Sequence, residues 1–298
     1  MARFYVLPST HGLWTHCHLC GWSEPFTTFL KQIDPALYRE YSLEKFKSNR
    51  QRNETPLEPL RKPVQKVFEM PLQGLQAVTE TRQNHPARLL LAKRAIPVER
   101  WADLWHCDDF QGFTNSLVPD TYDKYTPEPR LVIPFRDRTG KFIGCQGRSY
   151  NSASRAKYLT VVADEDAPFL FGYERVTSGR RFVTEGPFDS MFVRNGCSAA
   201  GDVRGELLKI NSDPSEFVVV YDNEPRSRQT VQKIERAIYA GFPVVIWPQN
   251  VTEKDINEMV LARLDTDYST WLMDTLNRNT FSGEIALTQL LFWARCTV

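Results

Sequence analysis

The chain has 298 residues, 42% of them hydrophobic and 24% charged, with a net charge of +1. That composition belongs to a globular protein with room for about two cored domains. It excludes a membrane span, because no apolar run approaches the ~18 residues one needs. The six scattered cysteines exclude a disulfide scaffold, and the N-terminus lacks a signal-peptide core, so a cytoplasmic protein is expected.

Residues 1–41 open with Phe4-Tyr-Val-Leu7, turn through Pro8–Gly12, and continue as Leu13-Trp-Thr-His-Cys17-His-Leu-Cys20-Gly21-Trp22. Cys-x-x-Cys-Gly is the knuckle of a zinc ribbon: two thiolates at one tight turn, with Gly supplying left-handed backbone. A closed site takes four ligands, and the sequence holds no second Cys-x-x-Cys; His11, His16 and His18 are the nearby substitutes. Cys17 and Cys20 are therefore either a zinc half-site or a reduced pair that holds no metal. Over residues 24–47, Phe26, Phe29, Leu30, Ile33, Leu37 and Tyr41 recur at helical spacing, interrupted at Pro35. Residues 42–70 have the polar, basic composition of a linker.

A second region is expected over residues 71–178. It begins with amphipathic helices across His85–Trp105, Pro97 standing near the start of the second. Arg130–Phe135 and Lys141–Arg148 flank a turn at Asp137–Gly140 and predict a β-hairpin. Ser154–Leu159 and Phe169–Tyr173 come next. Residues 130–181 carry ten Lys/Arg against five Asp/Glu, whereas residues 182–265 carry nine against thirteen. A basic stretch followed by an acidic one suits phosphate-bearing substrates meeting a metal site.

Over residues 179–264 three apolar runs end on acids. Arg181-Phe-Val-Thr leads to Glu185-Gly186-Pro187-Phe188-Asp189. Phe217-Val-Val-Val-Tyr221 is continuously apolar, as a strand covered on both faces should be, and leads to Asp222-Asn223-Glu224. Pro243-Val-Val-Ile-Trp247 is followed by Lys254-Asp255-Ile256-Asn257. With helical patterns around Ser190–Asn195 and Arg228–Ala240 between them, the order is β-α-β-α-β. In such a sheet the functional crevice lies beyond the carboxyl ends of the strands, where Glu185, Asp222 and Glu224 fall. Carboxylates gathered this way need a compensating charge, and Mg²⁺ (or Mn²⁺) accepts a few of them while keeping water and phosphate oxygens as other ligands. Residues 265–298 predict two helices packed on this sheet.

The ordered triple Glu185-Gly186-x-x-Asp189, Asp222-x-Glu224 and Lys254-Asp255-x-Asn257 resembles the Toprim domain shared by bacterial-type primases, topoisomerases and some nucleases. Val183–Ser190, Tyr221–Arg226, Glu128–Pro134 and Tyr38–Tyr41 further resemble segments of the primases of T4-like bacteriophages, so the likeness covers most of the chain. It implies an α/β fold: a Toprim domain, Rossmann-like with a mostly parallel sheet and flanking helices, joined to an α+β primase subdomain and preceded by a zinc ribbon whose first half is missing. It implies primer synthesis on single-stranded DNA by Mg-dependent nucleotidyl transfer, with Glu185, Asp222 and Glu224 as catalytic metal ligands and Asp189 and Asp255 as supports. Arg148, Lys157, Tyr158 and Lys254 are then expected at the nucleotide or template. The implied partners are ribonucleoside triphosphates, a hexameric replicative helicase and single-stranded DNA-binding protein. A Toprim nuclease would use the same acids without needing Arg148 or Lys157. A non-catalytic helicase accessory would leave the acids unused. A topoisomerase would need a separate tyrosine-bearing domain, for which the length leaves little room.

Overall fold

A computed structural model describes residues 4–9, 12–17, 23–34, 36–38, 40–41, 69–122, 127–151, 153–154 and 156–296. The chain divides into two compact units, Met1–Pro63 and Val64–Val298.

In the first unit β1 (Phe4–Ser9), β2 (Gly12–Cys17) and β3 (Ser23–Pro25) form an antiparallel sheet in that order, succeeded by α1 (Phe26–Ile33). The buried Thr15 hydroxyl donates to the Glu24 carbonyl at 2.6 Å and pins β2 to β3. Leu30 is the buried contact of α1. Cys17 ends β2; its thiol, and Cys20 with the rest of the expected knuckle, lie outside the described residues, as does most of the 42–70 linker.

The second unit holds two sheets. The first is antiparallel, ordered β4 (Leu75–Ala77), β5 (Trp105–Cys107), β6 (Arg130–Arg136), β7 (Phe142–Ser149), β8 (Tyr158–Val162). The expected hairpin is its centre, β6 pairing with β7 from Arg130↔Ser149 to Arg136↔Phe142. Before it, α2 (Pro86–Lys93) is capped by the His85 ring, which accepts from the Ala87 amide at 3.2 Å. The second expected helix is a short 3₁₀ stretch, Val98–Asp103, entered through Pro97. After β5 comes α3 (Phe110–Leu117). Gly147 admits this helix: a Cβ there would lie 2.4 Å from the Phe110 ring.

The other sheet is six-stranded, in the order β14 (Thr280–Phe281), β13 (Val244–Val245), β12 (Phe217–Val220), β10 (Arg181–Thr184), β11 (Gly196–Ala199), β9 (Leu170–Phe171). Its four central strands are parallel and its edges antiparallel. The run Phe217–Val220 shows why this sheet is covered twice. Val218 and Val220 enter one apolar core while Phe217 and Val219 enter the other, the alternation a strand imposes. Each such side chain contributes about 1.5–3 kcal/mol when fully buried. The first core also takes Ile133 and Phe135 from the antiparallel sheet, and Phe135 stacks on Phe169 at 4.1 Å, so the two sheets share one interior.

The helices of this sheet are α4 (Pro187–Ser190), α5 (Val203–Leu208), α6 (Arg228–Tyr239), α7 (Ile256–Leu261), α8 (Tyr268–Arg278) and α9 (Gly283–Trp293). Two expectations need correction. The helix expected over Ser190–Asn195 is instead the short α4, begun by Pro187 at its first turn, with turns after it. The β-α-β-α-β order lacks one unit, since β11 and α5 intervene between the first two acid-bearing strands. Gly196-Cys-Ser-Ala199 has none of the β-branched or aromatic residues that mark a strand. No helix among the described residues is long and apolar enough to cross a membrane.

Candidate active site

Because β10, β12 and β13 run parallel, the segments leaving their carboxyl ends emerge at one edge. Glu185 comes directly after β10, Asp222 and Glu224 come after β12, and Lys254 and Asp255 lead into α7. Asp222 is half-buried, and its carboxyl is pushed up to about 7, first by burial and then by the charges of Glu185 and Asp255. Asp189, on α4, is pushed up to about 7 by burial and by Asp255, although it accepts the Asn257 amide at 2.9 Å. Asp255 caps α7, accepting from the Glu258 amide at 2.8 Å.

Two lysines stand among these acids. Lys233 Nζ, from α6, lies 2.6 Å from Glu185 Oε2. Lys254 Nζ lies 3.0 Å from Glu224 Oε1, a hydrogen bond that raises the lysine's pKa. Lys254, expected at nucleotide phosphates, is therefore paired inside the acid cluster. Among the described residues no three His, Cys, Asp or Glu side chains converge closely enough to hold one ion; Glu185 and Glu224 of the expected set pair with lysines instead. The donor chemistry still fits a hard divalent cation, since the neighbouring acids raise the pKa of Asp222 and Asp189, a condition a cation relieves.

Asn223 fixes the loop between Asp222 and Glu224. Its amide donates to the Lys254 carbonyl at 2.7 Å, and its side chain donates to the carbonyls of Val251 at 2.9 Å and Glu253 at 3.0 Å. It also accepts the Trp293 indole N–H at 3.2 Å. Four partners on a residue only 9% exposed leave the loop little freedom.

The antiparallel sheet brings the cations. Arg148, on β7, is 5% exposed rather than a surface charge. Its guanidinium lies 4.8 Å from the Tyr158 ring and 5.1 Å from that of Phe188, and burial lowers its pKa. Lys157 is exposed, with its pKa lowered by desolvation and by Arg148 and Arg94. Tyr158 is half-buried between them, its hydroxyl's pKa raised by burial. Arg130 braces this wall from behind. Fully buried, it donates to Glu128 at 2.6 Å and to the carbonyls of Gly147 at 3.0 Å and Ala156 at 2.9 Å, fastening the segment before Lys157.

Three participants carry no signal of their own in the sequence. Arg94 donates to Asn257 Oδ1 at 2.8 Å and accepts that amide's N–H at its own carbonyl at 2.6 Å, a pairing across 163 residues that no local pattern encodes. Lys233 is one of several polar residues on α6, and Asn223 is a neutral residue between two acids. Beside Glu185 opens a cleft of about 710 Å³ between β7–β8 and α6, lined by Gln146, Tyr158, Arg204, Gln229, Lys233 and Arg236 among others.

No protein-family profile matches the chain. It is 33% identical to the DNA primase of Enterobacteria phage T4 over 284 residues, which span 94% of this chain and 81% of that protein. Solved structures share the fold at lower identity. The zinc-binding and RNA polymerase domains of the Aquifex aeolicus primase align with a TM-score of 0.52 at 18% identity, over 99% of this chain and 83% of that one. The E. coli primase catalytic core aligns with a TM-score of 0.50 at 17% identity, over 76% and 79%. A DnaG primase catalytic domain bound to single-stranded DNA gives a TM-score of 0.50 at 17% identity, over 73% and 77%. On the extent and identity of the match to the phage T4 enzyme, the chain belongs to the DNA primase family, the nucleotidyltransferases that make RNA primers for replication.

Proposed function

We propose that this chain joins ribonucleotides on a single-stranded DNA template at the edge formed by Glu185, Asp222 and Glu224, in the cytoplasm of the host cell. In the bond-forming step a ribonucleotide 3′-oxygen attacks the α-phosphorus of a ribonucleoside triphosphate, and pyrophosphate leaves. Glu185, Asp222 and Glu224 would hold Mg²⁺ or Mn²⁺, with Asp189 and Asp255 supporting them. When bound, the ion neutralises charge at the attacking oxygen and on the departing pyrophosphate. Arg148 and Lys157 bind phosphate oxygens of the nucleotide or template, Arg148 through a forked, ring-stacked guanidinium. Lys254 joins them when it leaves Glu224. Arg94 holds Asn257, whose amide donates to Asp189. A hexameric helicase and single-stranded DNA-binding protein complete the proposed set of partners, by likeness to the phage family.

The observation that carries this reading is the nearness of cations to the acid edge: the Arg148 guanidinium lies 5.1 Å from the ring of Phe188, the neighbour of Asp189, and Arg94 donates to Asn257, whose amide donates to Asp189. A hydrolytic site has no need of that basic wall. The test is to add ribonucleoside triphosphates and Mg²⁺ to the chain on a single-stranded template. Oligoribonucleotides are expected; shortened DNA would establish a nuclease instead.

A further inference from the structure

Any enzyme that starts a strand from single nucleotides holds two of them at once. One gives its α-phosphorus, and the other gives its 3′-oxygen while its own 5′-triphosphate stays intact. The acid edge with Lys157 and Arg148 accounts for the first. The cleft beside Glu185 lies on the β11 side, away from β13, Lys254 and Asp255.

Its chemistry is that of a polyphosphate site. Arg204 on α5 and Lys233 and Arg236 on α6 line it, outnumbering the acids Glu185 and Asp202 at its wall. Neither Arg204 nor Arg236 is paired with a carboxylate among the described residues. Lys233 touches the acid edge through Glu185 at 2.6 Å, so the cleft and the reacting centre adjoin. Gln229 and Gln232 add amide donors from the same helix, and Gly201 leaves one wall open, a Cβ there meeting nothing within 4 Å. A volume of about 710 Å³ falls within the range of small-ligand sites.

A separate observation concerns a residue that lines the same cleft. Gln146, on β7, is 5% exposed, and its amide nitrogen donates to Thr160 Oγ1 at 3.0 Å. Its carbonyl oxygen is buried with no partner. An orphaned acceptor is costly, and because Gln146 lines the cleft, a small turn of its amide presents that oxygen to a hydrogen donor there. A ribose hydroxyl is such a donor.

We infer that this cleft is the site of the initiating ribonucleotide, with Arg204, Lys233 and Arg236 receiving its 5′-triphosphate and Gln146 accepting from its sugar. The inference rests on the primase reading and adds to it where the 5′ end of the primer begins.

The experiment compares two starters on one template: a ribonucleoside triphosphate, and a dinucleotide carrying a 5′-hydroxyl. Wild type, Arg204→Gln, Arg236→Gln and Gln146→Met are measured with both. Both arginines reach solvent, so their variants keep the fold, and a thermal melt verifies it for Gln146→Met. Each arginine variant is expected to raise the half-saturating concentration of the triphosphate starter about tenfold, the size of one charge-assisted contact. The rise with the dinucleotide is expected to be several times smaller. Gln146→Met should raise it for both starters, because both carry the sugar. Equal losses with the two starters in the arginine variants would overturn the assignment and make the cleft a template-backbone groove. Wild type that makes no oligoribonucleotide from either starter would overturn the primase reading itself, a distinct outcome.

Discussion

A carboxylate crowded by others keeps its proton or finds a cation. Asp189 and Asp222 hold their protons up to about 7, against about 4 in an unfolded chain. A raised acid contributes stability that is complete below the unfolded value and is lost as pH rises through the folded one. Without divalent cation, Asp222→Asn should therefore gain in Tm on wild type as pH rises from about 4 to about 7; a constant difference would mean that Asp222 titrates normally. Glu185→Gln keeps the shape and removes the charge, so nucleotide joining should fall below about a tenth of wild type with the melt little changed. Arg148→Ala and Lys157→Ala should each weaken triphosphate use by about 1–3 kcal/mol. Only Arg148→Ala should also lower Tm, because only Arg148 is buried against two rings. An unaltered dependence on triphosphate concentration in both would remove these two residues from the site.

At the scale of elements, the strands bearing the acids are legible in the sequence because a doubly covered strand has to be apolar along its whole length, as Phe217–Val220 is. β11 is not, because Gly196–Ala199 has no β-branched or aromatic residue, and β14 is a two-residue edge strand placed by its pairing with β13. The acids themselves can be ordered from the strand ends, whereas their company cannot. Arg94 and Lys233 acquire meaning only when elements distant in sequence are set against the edge. Asn223 shows what an element needs from such contacts. Asn223→Ala removes two bonds to the loop beyond β13 and strands the Trp293 N–H, so a loss of about 2–4 kcal/mol is expected in denaturant unfolding. A loss under about 0.5 kcal/mol would mean the loop holds itself.

For the whole molecule, the large apolar cores lie within residues 70–293, so Cys20→Ser should leave the main calorimetric transition in place whatever it does to zinc content. Loss of that transition would tie the catalytic unit's folding to the N-terminal knuckle. The six-stranded sheet ends its chain path close to where its chemistry begins. α9 packs through Leu290 and Trp293, and just beyond it the Arg295 amide donates to the Pro225 carbonyl at 2.8 Å while Trp293 reaches Asn223. Fraying of this last helix therefore opens the loop that carries two of the acids. The two belong to one cooperative opening unit, and in amide hydrogen exchange Asn223 and the final turn of α9 should exchange at matching rates, slower together and faster together as conditions change.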